Sequence, residues 1–118
     1  MENFEKGKIL DIAGSVSYES AGVVSKQILK NAAGNITVFS FAKGQGLSTH
    51  SAPFDALVQV LDGEAEILIG GVPRRLKSGD FIILPANVPH SVFAVDSFKM
   101  LLTMIYAAES PSKMCRCS

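Results

Sequence analysis

From residue 23 onward, apolar and polar positions alternate or gather in short apolar blocks, and turn residues recur at close intervals. Alternation with period two places every second side chain on one face of a strand. The pattern predicts strands over 24–30, 36–43, 57–61, 64–69, 72–76, 81–84, 90–95 and 98–106. β-Branched and aromatic residues fill these blocks, as strands favour. Between them stand Asn31-Ala-Ala-Gly-Asn35, Asp62-Gly63, Gly70-Gly71, Lys77-Ser-Gly-Asp80, Pro85-Ala-Asn-Val-Pro89 and Asp96-Ser97. Asp-Gly and Gly-Gly are two-residue hairpin signals, so hairpins are expected at both of the first two such pairs. No segment carries a helical period. The fold class expected is all-β, an antiparallel sandwich or barrel. An immunoglobulin-like sandwich would want a core tryptophan and a cysteine pair across its sheets. This chain has no tryptophan, and its two cysteines stand close together at the end.

Chemistry enters through one spacing. Gly44 is followed by five residues and His50, then Ala52, Ala56 and Gly63; later Gly79 is followed by five residues and Pro85, then Asn87, His90 and Ala94. Over roughly residues 34–107 this resembles the two signature motifs of the small single-domain cupins. Those proteins are RmlC-like jelly rolls, or double-stranded β-helix barrels. The family pattern has glycine, histidine-x-histidine, glutamate and glycine, then glycine, proline, glycine, histidine and asparagine. The resemblance implies a metal site at His50 and His90. It also implies that Ala52, Ala56 and Ala94 stand where a histidine, a glutamate and an asparagine are usual. Asn87 replaces a glycine, and asparagine is the next best residue at a left-handed backbone position. Cupins with the full ligand set include dioxygenases, isomerases and decarboxylases, and the alanines break the warrant for carrying those activities over.

His50 and His90 are the only histidines, and both fall on ligand positions of the pattern. Alternation places Ala52 on the face of His50, groups Ala56 with Val58, and groups Val92 and Ala94 with His90; these five are the expected pocket lining. Three roles remain open for the pair. They can hold a divalent metal (iron, zinc, manganese or nickel) with an incomplete ligand set, Met100, Met104 and Tyr106 being weaker candidate donors. They can anchor a small molecule in a metal-free pocket, bonding a carboxylate, phenol or similar group, with some of the phenylalanines lining it. Or they are satisfied polar residues of a dimeric scaffold. Asp55, beside Ala56, is expected to point the opposite way.

Composition narrows the rest. At 118 residues the chain fits one domain, and 11 basic against 11 acidic side chains give no basic excess for nucleic acid. Arg74, Arg75 and Lys77 are read as a solvated strand face. Neither a membrane-length apolar run nor a signal-peptide core is seen, so the cytoplasm is the expected location. No oriented nucleophile triad and no glycine loop leading into a helix can be defended. Cys115 and Cys117 read as reduced thiols in a tail, too close for an unstrained disulfide. The expected layout is N-terminal strands over 1–33 packing on the barrel or a dimer partner, the barrel over 34–107, and a tail over 108–118. The expected partners are a small-molecule ligand and a second copy in a homodimer.

Overall fold

The structure, a computed structural model, describes residues 4–19 and 22–106. Cys115 and Cys117, and the tail expected over 108–118, lie outside the described residues. After a single 3-10 turn, Ala13–Ser15, come nine strands: β1 Val23–Asn31, β2 Gly34–Phe41, β3 Gly46–His50, β4 Ala56–Asp62, β5 Glu64–Ile69, β6 Val72–Lys77, β7 Phe81–Leu84, β8 His90–Ala94 and β9 Phe98–Ile105. They form two antiparallel sheets, β1-β2-β9-β4-β7 and β3-β8-β5-β6, the architecture of a jelly roll.

The core is the facing surface of the two sheets. Ala56, Val58 and Val60 of β4 are buried on alternate positions, as are Ala65 and Ile67 of β5, Val92 and Ala94 of β8, and Phe98 and Met100 of β9. Each large apolar side chain so buried contributes roughly 1.5–3 kcal/mol against exposure. The rings of Phe41 and Phe98, cross-strand partners in β2 and β9, stack 4.6 Å apart at 4°.

Gly70-Gly71 makes the expected hairpin, with Ile69 opposite Val72. Asp62-Gly63 does not: β4 and β5 lie in different sheets, so this pair is a corner where the chain crosses between them. Gly63 takes φ 81°, and a Cβ there would run into the Ser97 carbonyl oxygen and Phe98. The Asp-Gly signal reports a local need for positive φ, which a corner shares with a hairpin. Gly46 opens β3, where a side chain would strike the Val92 backbone of β8.

Val38 and Ser40 face away from the core yet are fully buried. The N-terminal segment covers them: Ser40 Oγ donates to the Ser17 carbonyl at 2.8 Å, and Val16 is buried beside this contact. Lys99 Nζ donates to the Ala13 carbonyl at 2.7 Å and lies 5.0 Å from the centre of the Tyr18 ring, while Tyr18 Oη bonds Asp62. The leader thus lies across the outer face of the five-stranded sheet of its own chain.

Candidate functional site

His50 and His90 are direct cross-strand partners in β3 and β8. β3 ends at His50, so Ala52 follows the strand rather than continuing it. Two backbone ties hold this rim in place. The Asn87 amide donates to the Ala52 carbonyl at 2.7 Å, and the Ala86 amide donates to Asp55 Oδ1 at 2.8 Å. Asp55 is therefore turned to the Pro85–Pro89 corner and away from the histidines. Asn87 makes the corner by adopting φ 67°, alone among the described non-glycine residues.

The two imidazoles meet edge to face, with centroids 4.5 Å apart at 71° and Nε2 atoms 3.2 Å apart. Each ring is oriented from behind. His50 Nδ1 lies 3.0 Å from the Ser48 carbonyl oxygen, and His90 Nδ1 lies 3.2 Å from that of Val88. A carbonyl only accepts, so both Nδ1 atoms carry their proton and, in the neutral rings, both Nε2 atoms are bare lone pairs. Satisfying all three contacts takes three protons on two rings, one more than two neutral imidazoles hold. The pair is short of one electrophile. Protonation is a poor remedy at neutral pH, because burial, and secondarily the neighbouring His50, push the His90 pKa below its ordinary 6.5, although its bond to Val88 works the other way.

Both histidines line a cavity of about 80 Å³ between the sheets. Ala52, Ala56, Val58 and Val92 line it, joined by Leu47, Phe54, Leu84, Met100, Leu102 and Met104. Ala94 is not in this wall: at 0 % exposure it packs in the solid core, four residues beyond His90 and opposite Ala65. Sequence reasoning missed Leu47, Leu84 and Leu102. They come from strands whose facing could have been read from alternation, but whose depth in the barrel could not. Of the phenylalanines only Phe54 reaches the cavity, its ring 5.0 Å from that of Tyr106. Phe81 and Phe93 are largely exposed, and Phe41 fills the core. Tyr106 Oη is taken by Asn35 Nδ2 at 2.7 Å, and Tyr106 does not line the cavity.

A metal fits this site only in part. Two Nε2 atoms 3.2 Å apart sit close to the edge of about 3.3 Å expected for two nitrogens on a tetrahedral ion with bonds of about 2.0–2.1 Å. The carbonyl behind each ring is the orienting partner that ligating histidines usually have. The remaining wall is hydrocarbon apart from the thioethers of Met100 and Met104, and among the described residues no group of three His, Cys, Asp or Glu could hold an ion. Glu64 pairs instead with Arg75 at 2.7 Å on the solvent side.

Two facing antiparallel sheets with a histidine pair at one mouth define a small barrel protein of the cupin kind. The chain belongs to the cupin family: residues 37–106 match its Cupin domain. It is similar to the conserved SPY1581 protein of unknown function from Streptococcus pyogenes, with 38 % identity, TM-score 0.86, and coverage of 92 % of this chain and 95 % of that one. A cupin 2 conserved barrel domain protein from Leptotrichia buccalis is 41 % identical over 82 % of this chain, with TM-score 0.80; the match spans 47 % of that longer protein. A salicylate 1,2-dioxygenase from Pseudoaminobacter salicylatoxidans shares the fold at 18 % identity and TM-score 0.67, over 71 % of this chain and 26 % of that one. No curated protein matches the chain. Among the described residues no helix is long and apolar enough to cross a membrane.

Proposed function

We propose that this barrel is a small-ligand binding site anchored on His50 and His90. The observation that carries it is the pair of Nε2 atoms, 3.2 Å apart at the mouth of an apolar cavity, with both Nδ1 atoms engaged behind. An acceptor pair selects a donor. A carboxylate, which also accepts, is a poor match at neutral pH, whereas a hydroxyl, phenol or amine head supplies the missing hydrogen. At about 80 Å³ the cavity is smaller than the roughly 150 Å³ that admits benzene. The ligand is therefore a few heavy atoms, or extends past the exposed His50 into solvent.

The test is a thermal-shift and calorimetric screen of small phenols, alcohols and amines beside matched carboxylates. Binders should come from the donor set and lose at least about tenfold in affinity, or about 1.4 kcal/mol, in His50→Ala/His90→Ala. Affinity unchanged in that variant would sink the proposal.

The near-tetrahedral Nε2 separation favours a second proposal at the same atoms. A divalent ion (iron, zinc, manganese or nickel) would take two imidazoles, with the ligand or solvent completing its shell. If so, the protein would be a metal-dependent cupin enzyme of dioxygenase or isomerase type, acting on a small polar substrate. Elemental analysis of natively purified protein beside the double variant decides this: stoichiometric metal that disappears with the histidines supports it, and persistently metal-free protein removes it.

We further propose a cytoplasmic homodimer, whether or not the barrel also binds a ligand. Phe81, Ile83 and Ile105, at 65, 57 and 65 % exposure, leave apolar surface that a second copy would cover. Sedimentation equilibrium giving a monomer at all concentrations would refute the dimer.

A further inference from the structure

Beyond the two imidazoles, the donors in the cavity are sulfurs. Met100 and Met104 of β9 line the same space as His50 and His90. The β4–β9 register sets Met104 directly beside Ala56, and Met100 deeper, beside Val60. The methyl of Ala56 stands where the family pattern has its carboxylate, and the neighbouring strand offers a thioether on the same face. The available donor set is thus nitrogen and sulfur, every member neutral, with no carboxylate or thiolate.

That chemistry is selective. Hard cations require oxygen ligands. A dication held by neutral groups alone among Leu47, Val58, Leu84 and Leu102 would leave its charge uncompensated in an apolar wall, which is costly. A soft monovalent ion carries half that charge, and thioether and imidazole ligands suit copper(I). We propose that His50 Nε2, His90 Nε2 and the Met104 sulfur form a three-donor copper(I) site. The site deepens the ligand-binding proposal, since it uses the same convergent lone pairs, and names as their electrophile a soft monocation.

The decisive experiment is anaerobic copper(I) titration against a chromophoric chelator. The full chain is used with Cys115→Ser/Cys117→Ser, because the two tail thiols are soft donors that would compete. One equivalent should bind, with affinity lost by at least about a hundredfold in His50→Ala/His90→Ala and about tenfold in Met104→Leu. Met104→Leu removes the sulfur at nearly constant volume, and a matching melting temperature confirms that the barrel is intact. X-ray absorption should show one sulfur in the copper shell of the parent and none in Met104→Leu. Met100→Leu should change neither readout.

Equal copper affinity in Met104→Leu, or a loss at Met100→Leu in its place, overturns the three-donor site. Histidine-dependent binding of zinc or nickel without copper(I) also overturns it, yet leaves the histidine-anchored pocket standing. Copper binding indifferent to the histidine variant overturns the copper site, and the phenol and amine screen then judges the pocket alone.

Discussion

The two ends of this barrel share β8 and β9 and differ in what fills them. At one end Phe41 and Phe98 stack on each other and share the buried core with Ala65, Ala94 and Leu76, all nearly or wholly excluded from solvent. At the other, Ala52, Ala56, His50 and His90 line a cavity. Fourteen residues separate Phe41 from Ala56, yet one belongs to a packed wall and the other lines a cavity. The closed end carries the aromatic packing and the open end carries the histidine pair. A protein can empty one end of a barrel because the other is over-determined by aromatic packing.

The sharpest way to break this contrast is to empty the closed end. Phe98→Ala should cost about 3–5 kcal/mol of stability, read by chemical denaturation, because a stacked and fully buried ring leaves a cavity that cannot collapse. Rebuilding the open end should do the reverse, changing binding with little change in folding. Ala52→His/Ala56→Glu should tighten nickel or manganese by roughly a hundredfold, about 2.7 kcal/mol by calorimetry. Unchanged affinity would show that these positions do not converge on the histidines.

A smaller effect tests the corner that holds the open end. Asn87→Ala at φ 67° should cost about 1–2 kcal/mol, whereas Asn87→Gly should be close to neutral. An equal loss in both would mean that the side chain, not the backbone, is needed. The least effect is on acidification. The folded pKa of His90 is depressed below 6.5, so below that value the unfolded chain binds more protons and stability falls with pH. The loss begins as pH drops through the unfolded pKa and levels off below the folded one. Melting temperature should decline as pH falls through and below 6.5, less steeply in His90→Gln, which lacks the titrating group. Parallel curves would place the acid sensitivity elsewhere.

Sequence alone was most informative where the cause is local. The strand blocks, the Gly70-Gly71 hairpin and the left-handed Asn87 each follow from side-chain alternation or from the backbone conformation that one residue type permits. Asp62-Gly63 shows the limit of the same logic. The pair announces positive φ, and whether the chain then returns along itself or crosses to the other sheet depends on β9 and β8, which follow more than 25 residues later. Ala94 shows another limit: alternation gives the face of a side chain and not its depth.

What the sequence determined by itself is the all-β jelly roll and the singular placement of its only two histidines, because strand period, turn chemistry and motif spacing are read residue by residue. What only the tertiary structure decided is that the two Nε2 atoms meet, that their Nδ1 atoms are tied to Ser48 and Val88, and that β9 brings its methionines to the same cavity. Those facts depend on register between strands far apart in the chain. Register is fixed by how two whole sheets bury their apolar faces together, and no single segment encodes it.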